Sequence, residues 1–85
     1  MKHATGAALD RLKGLLADVR QLEPMKEKSP GVFYCRSRAF LHFHEDPVGL
    51  FADIRTGSDW ERLSVNSKAD QAKLLRRIRS HLALS

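Results

Sequence analysis

The sequence of 85 residues contains a single cysteine, Cys35, and only three prolines. One cysteine excludes a disulfide within the chain, and a lone thiol suits a reducing compartment. No apolar run approaches the roughly 20 residues that a transmembrane helix needs. Charged residues, among them Asp10 and Lys13, interrupt any apolar segment that could act as a signal peptide. We therefore expect a cytoplasmic protein.

The classical catalytic motifs are also missing from the sequence. It has no G-x-S-x-G, no P-loop, no H-E-x-x-H and no C-x-x-C. A thiol–imidazole pair between Cys35 and His42 or His44 is disfavoured, because strand alternation places the thiol and the two imidazoles on opposite faces. The sequence therefore predicts no catalytic residues, and a binding role is favoured over an enzymatic one.

Composition and charge are those of a folded protein with a basic C-terminal part. Hydrophobic residues make up 42% and charged residues 29% of the chain. Its length allows one domain, residues 1–85, with a modest core, so that oligomerisation would help to bury surface. The net charge is +5. Residues 32–67 carry about −1, and the positive charge is concentrated after residue 67.

Two amphipathic helices are predicted, one at each end. Leucines and a valine recur every three or four positions from about residue 5 to 22, and Pro24 follows. Residues 23–31 form a polar connector without periodicity. Ser67-x-x-Asp70 resembles a capping box and predicts a helix over 67–83. Its outer face carries a basic patch: Lys73, Arg76, Arg77 and Arg79.

Residues 32–65 predict an antiparallel meander of three to four strands. Asp46-Pro47-Val48-Gly49 divides two apolar and aromatic runs and is typical of a β-hairpin turn. Short loops favour antiparallel strands, and two helices with one apolar stripe each need one face of a sheet to pack on. We expect a two-layer α+β fold of order α-β-β-β-β-α.

Strand alternation sorts the sheet residues into two faces. The apolar set should lie beneath the helices: Phe33, Cys35, Leu41, Phe43, Leu50, Ala52, Ile54, Leu63 and Val65. The second set mixes aromatic, histidine, arginine and carboxylate side chains: Tyr34, Arg36, Phe40, His42, His44, Phe51, Asp53, Arg55, Trp60 and Arg62. Any function should lie on this second face, although a one-residue slip in register would exchange the two sets.

The first interpretation of the second face is self-association. Phe40, Phe51 and Trp60 would be buried against the sheet of a second copy, with arginine and aspartate pairing across a two-fold axis. Aromatic residues and arginine are enriched at such interfaces. This interpretation predicts a homodimeric interaction module, and another protein partner would use the same residues.

The second interpretation is a metal site. His42-x-His44 places two imidazoles on one side of a strand, and Asp53 would come from the neighbouring strand. Two histidines and a carboxylate are a ligand set for zinc or non-haem iron. The alternative is that both histidines are structural and that Asp53 pairs with Arg36, Arg55 or Arg62.

The third interpretation is nucleic-acid binding. Bases could stack on the aromatic residues of an open sheet, or the basic patch on the last helix could contact phosphates. The negative charge of residues 32–67 argues against the sheet, and the basic patch is also explained as a solvated helix face.

The sequence of the hairpin also resembles that of known small proteins. Residues 38–54, Arg-Ala-Phe-Leu-His-Phe-His-Glu-Asp-Pro-Val-Gly-Leu-Phe-Ala-Asp-Ile, precede a strand with Trp60 and a basic helix. This layout is similar to small bacterial domains labelled "luciferase family", in which a Phe-Ala-His-x-His strand precedes a second strand, and it resembles small α+β proteins of the YjbR type. The overlap covers residues 32–65. The resemblance implies an α+β fold and a bacterial source, but no light-producing chemistry and no established function.

Overall fold

The computed structural model describes residues 2–84, and the side chains of residues 3–83. Its elements follow the chain in this order: β1 (Lys2–His3), α1 (Gly6–Arg11), α2 (Lys13–Arg20), β2 (Met25–Ser29), β3 (Val32–Cys35), β4 (Arg38–Asp46), β5 (Gly49–Thr56), β6 (Asp59–Ser64) and α3 (Lys68–Leu84). The α+β fold is confirmed. Within the described residues no helix combines the length and apolar character that crossing a membrane requires.

The sheet is antiparallel and larger than the sequence predicts. Its strands lie in the order β2-β3-β4-β5-β6, and β1 pairs with β4 at His44 and Glu45, beyond the stretch that β3 covers. The connector predicted over 23–31 is wrong, because Met25–Ser29 is a strand whose Met25 lies opposite Cys35. Its sequence has no β-branched residue, so backbone pairing with β3 decides its structure.

The N-terminal helix is interrupted once. α1 and α2 together span most of the predicted 5–22, but Leu12 leaves helical geometry at φ −103° and ψ 14°. Its amide donates to the carbonyl of Leu9, three residues back, as in a 3₁₀ turn. Leu12 is nonetheless buried, so the apolar stripe continues across the break. The C-terminal helix is found within one residue of its predicted bounds.

The core lies between the helices and one face of the sheet. All nine residues assigned to the helix-covered face are buried, as predicted. The helices contribute Leu12, Leu15, Leu16, Val19, Leu74 and Ile78 to the same cluster. Phe33 and Phe43 meet edge to face in its centre, with ring centroids 6.4 Å apart. The opposite face, hereafter the open sheet face, has no helix over it among the described residues.

A β-bulge in β4 changes the placement of Phe40. Phe33 lies opposite Leu41, but Tyr34 lies opposite Ala39, so Phe40 is the extra residue. Phe40 is therefore not on the open sheet face, where alternation predicts it. It turns toward the helices, is only 2% exposed, and lies with its ring centroid 4.5 Å from that of His81 in α3.

The turn between β3 and β4 corrects a second assignment. Arg36 and Ser37 have φ values of 52° and 74° and form a two-residue loop that closes the Cys35–Arg38 pair. Two positive φ values in a tight hairpin are typical of a type I′ turn. Arg36 is therefore an exposed turn residue rather than a member of the strand face.

The predicted hairpin turn between β4 and β5 is confirmed. Asp46 and Gly49 lie opposite each other, and the amide of Val48 donates to Asp46 Oδ1 at 3.1 Å. Gly49 has a φ of 152°, and a Cβ there would lie 2.8 Å from two side-chain atoms of Asn66. Asn66 Oδ1 accepts a hydrogen bond from the amide of Leu50. Glycine is therefore needed both for its backbone conformation and for this close approach.

Candidate functional site

The pairing of β4, β5 and β6 assembles the centre of the open sheet face. His42 lies opposite Asp53, and Asp53 lies opposite Arg62 on the next strand. One step along, Arg55 lies opposite Trp60. The structure thus brings together most of the residues assigned to this face, apart from Phe40 and Arg36.

Asp53 is the most strongly bonded group of the open sheet face. Its two carboxylate oxygens accept hydrogen bonds from Arg62 Nε at 2.8 Å and Arg62 Nη2 at 3.0 Å. His44 Nε2 lies 3.1 Å from Asp53 Oδ2. The hydrogen bonds from Arg62 hold the pKa of Asp53 below its usual value, against the opposing effect of burial. The predicted pairing of Asp53 with Arg62 is present.

Three histidines form a cluster beside this ion pair. β1 places His3 next to β4, where its ring centroid lies 5.8 Å from that of His42 and 5.2 Å from that of His44. The rings of His42 and His44 are 6.0 Å apart. Sequence reasoning missed His3, because a two-residue strand has no periodicity that could reveal it.

Burial lowers the pKa of His42, and the nearby His44, His3 and Arg55 act in the same direction, while Asp53 opposes them. His42 therefore resists protonation in the folded state. The histidine cluster is an environment in which additional positive charge is unfavourable.

The metal site predicted from His42, His44 and Asp53 remains a prediction. Across the residues that the structure describes, no group of three histidine, cysteine or acidic side chains is arranged to hold a metal ion. A physical reason is that Asp53 already accepts both hydrogen bonds from Arg62. A metal would have to replace that bidentate pair.

Trp60 is the large aromatic side chain of the open sheet face that remains accessible. It is 39% exposed. Among the described residues, Trp60 and Val48 are the exposed large hydrophobic residues. Arg55 Cζ lies 4.7 Å from the Trp60 ring centroid, and the His42 ring lies 4.8 Å away. These two side chains hold the indole in place across the sheet.

A second aromatic site lies on the other side of the open sheet face. Tyr34 in β3 pairs with Lys26 in β2, and Lys28 Nζ lies 5.7 Å from the Tyr34 ring centroid. A shallow cavity of about 300 Å³ is lined by these three residues together with Arg36. Two rings of this face, Trp60 and Tyr34, thus each have a cation beside them.

The open sheet face is positively charged, although residues 32–67 as a segment are not. Its cations are Lys26, Lys28, Arg55 and Arg62, and its carboxylates are Asp46 and Asp53. The glutamates of the segment face away from it. Glu45 accepts a hydrogen bond from the amide of Thr5, and Glu61 pairs with Arg77 of α3. Within residues 32–67 the face has two cations and two carboxylates, and Lys26 and Lys28 of β2, which lie outside that segment, make its charge positive.

The predicted basic patch on α3 is divided. Arg77 is not part of a free cationic surface, because both of its terminal nitrogens donate to the carboxylate of Glu61, one of them at 3.0 Å. Lys73, Arg76 and Arg79 are exposed to solvent as predicted. They lie on the side of the molecule opposite the open sheet face.

Comparisons of the chain with protein-family models, curated proteins and solved structures gave no match. The resemblance of residues 32–65 to the bacterial domains named above stays a prediction. The geometry of the open sheet face is therefore the basis on which a function is inferred.

The lowered pKa values on this face predict that acid destabilises the fold. Since the pKa of His42 is lower in the folded state, the unfolded chain binds the extra proton first, and stability falls as the pH drops below about 6.5. Asp53 acts in the same direction further into acid, because its lowered pKa adds stability only while it is ionised. We expect His42→Gln to flatten the decline between about pH 7 and pH 5.

Urea unfolding of the parent chain and of His42→Gln across this range measures the effect. Unfolding of both proteins near pH 8, where histidine is neutral, provides the control for packing changes. Parallel pH profiles for the two proteins would contradict the assignment of the acid sensitivity to His42.

Proposed function

We propose that the chain is a non-catalytic binding module whose open sheet face binds single-stranded nucleic acid. The observation that carries the proposal is the pairing of two rings with cations, Trp60 with Arg55 and Tyr34 with Lys28, on a face of positive charge. Bases stack on rings, and phosphates are attracted to the neighbouring cations.

The spacing of the two rings suits a short stretch of unpaired nucleotides. Tyr34 lies on β3 and Trp60 on β6, three strand intervals apart, which corresponds to about 14 Å. A strand of nucleic acid that crosses the β-strands would meet both rings in succession. Each base stacked on an aromatic side chain contributes about 1–3 kcal/mol to binding.

The available cations support an anionic partner over a second copy of the chain. Lys26, Lys28 and Arg55 have no carboxylate partner among the described residues, whereas Arg62 is neutralised by Asp53. Two such faces would repel each other across a two-fold axis. Phe40, which the self-association hypothesis needs on the surface, lies in the core. The homodimer stays a prediction with less support than it has from the sequence.

The direct experiment is a fluorescence titration, because Trp60 is the only tryptophan of the chain. We expect an oligothymidylate of about 12 nucleotides to quench the Trp60 emission, as stacking on the indole requires. The logarithm of the binding constant should fall with the logarithm of salt concentration at a slope of about −2, as two to three phosphate contacts imply. Unchanged emission at low salt would refute the proposal.

A matched pair of variants separates the two basic surfaces. Lys26→Gln combined with Lys28→Gln should weaken binding and reduce the salt slope, whereas Lys73→Gln combined with Arg76→Gln removes the same charge from α3 and should leave both nearly unchanged. A larger loss from the α3 pair would assign the binding to the basic patch on that helix instead.

A further inference from the structure

A cavity of about 250 Å³ lies at the end of the sheet near the last turns of α3. The β3–β4 turn, the β5–β6 turn and His81 surround it. Three of its lining residues are arginines, Arg36, Arg38 and Arg55, and none is acidic. The cavity is separate from the centre of the open sheet face, but it shares Arg55 with that face and Arg36 with the cavity beside Tyr34.

The arginines around the cavity lack anionic partners. The side chains of Arg36 and Arg38 form no hydrogen bond or ion pair with the described part of the chain. Arg55 donates from Nε to the carbonyl of Ala39 at 2.8 Å, which is a neutral acceptor. Three arginines line a cavity that has no carboxylate, so a bound anion would supply the counter-charge that the described residues do not provide there.

One arginine at the cavity has an unfavourable backbone conformation. Arg36 occupies a left-handed conformation with φ 52°, in the first position of a turn that normally contains asparagine or glycine. A residue with a long side chain is disfavoured there relative to those two. The turn therefore keeps an arginine at the cavity where the fold alone would favour asparagine, which indicates a role for the side chain.

One wall of the cavity is apolar. The bulge turns Phe40 into this region, and Cys35 is also buried beside the cavity. The imidazole of His81 lies 4.5 Å from the Phe40 ring, centroid to centroid. A ligand in this cavity would thus meet arginine side chains on one side and, on the other, the partly exposed imidazole of His81, with the buried Phe40 and Cys35 behind it.

We propose that this cavity binds a small phosphate monoester, with the phosphate at the arginines and the organic group against the wall that His81 and Phe40 form. A phosphate monoester carries about −1.5 to −2 charges at pH 7 and three acceptor oxygens, which match several guanidinium groups. A carboxylate offers one charge and two oxygens, enough for a single bidentate arginine. The cavity volume of about 250 Å³ accommodates a single ring with its phosphate.

Isothermal titration calorimetry with phenyl phosphate, benzoate, inorganic phosphate and phenol tests each part of the assignment. We expect phenyl phosphate to bind at least about tenfold more tightly than the other three. Equal binding of benzoate would overturn the preference for phosphate, and equal binding of inorganic phosphate would overturn the role of the wall that His81 and Phe40 form. No binding of phenyl phosphate would overturn the site.

Variants distinguish this site from the open sheet face. Arg38→Gln should weaken phenyl phosphate binding about tenfold, while Lys28→Gln and Arg76→Gln leave it nearly unchanged. Arg36→Asn should also weaken binding and at the same time raise the melting temperature, because it relieves the backbone of the turn. Oligothymidylate binding should persist in Arg38→Gln. Absence of phenyl phosphate binding would refute the cavity site alone, and absence of oligothymidylate binding would refute the proposed function of the open sheet face alone. Phenyl phosphate binding unaffected by Arg38→Gln and Arg36→Asn would contradict the proposal.

Discussion

Phe40→Ala is expected to lower the free energy of unfolding by about 3–5 kcal/mol, because it removes a fully buried aromatic side chain and leaves a cavity beside α3. A chain of 85 residues has a total stability of roughly 4–13 kcal/mol. The substitution would therefore remove between about a quarter of the stability and all of it, depending on where the parent chain lies in this range. Urea denaturation followed by circular dichroism measures the loss.

Phe51→Ala is the matched control for this prediction. Strand alternation places Phe40 and Phe51 on the same face of the sheet, but in the structure Phe51 is only partly buried and lies on the open sheet face, opposite His44. Its removal should lower the stability by only about 1–2 kcal/mol. Losses of equal size for the two phenylalanines would show that the bulge in β4 is misplaced.

The covered face of the sheet could be predicted from the sequence because it depends on a local rule. Side chains alternate along a strand, and the buried residues of β5, which are Leu50, Ala52 and Ile54, follow that rule. The rule fails at Phe40, because the bulge is set by how β4 pairs with β3. Neither Phe40 nor its sequence neighbours are glycine or proline, the residues that would indicate a bulge.

Short strands at the edge of the sheet could not be predicted from their own residues. β2 reads Met-Lys-Glu-Lys-Ser and β1 contains only two residues, so neither shows an apolar pattern. Both become strands through pairing with β3 or β4. As a result, the sequence identifies His42 and His44 but not His3, and it assigns Lys26 and Lys28 to a connector rather than to the open sheet face.

The charge of the open sheet face also could not be obtained by counting charged residues along the sequence. Glu45 in β4 and Glu61 in β6 lie in the same part of the sequence as Arg55 and Arg62, but their side chains bond to Thr5 and Arg77 on the other side of the sheet. Once the register is known, the acidic residues separate from the basic ones. The sign of the face thus depends on alternation and register together.

The second large effect is expected when Trp60 is removed from the proposed nucleic-acid-binding face. Trp60→Ala should weaken oligothymidylate binding about five- to 150-fold, which corresponds to the loss of about 1–3 kcal/mol of stacking. The stability of the fold should change little, because Trp60 is substantially exposed and lies outside the core cluster. Trp60→Phe keeps a ring for stacking and should retain most of the affinity.

The central claim is that nucleic acid stacks on the open sheet face, and the most direct measurement is fluorescence anisotropy of a labelled oligothymidylate. The parent chain, Trp60→Ala, Trp60→Phe and Lys73→Gln would be titrated under identical salt conditions. The account predicts tight binding by the parent chain, Trp60→Phe and Lys73→Gln, and a large loss for Trp60→Ala alone. Equal affinities for the parent chain and Trp60→Ala, or no binding by the parent chain, would contradict it.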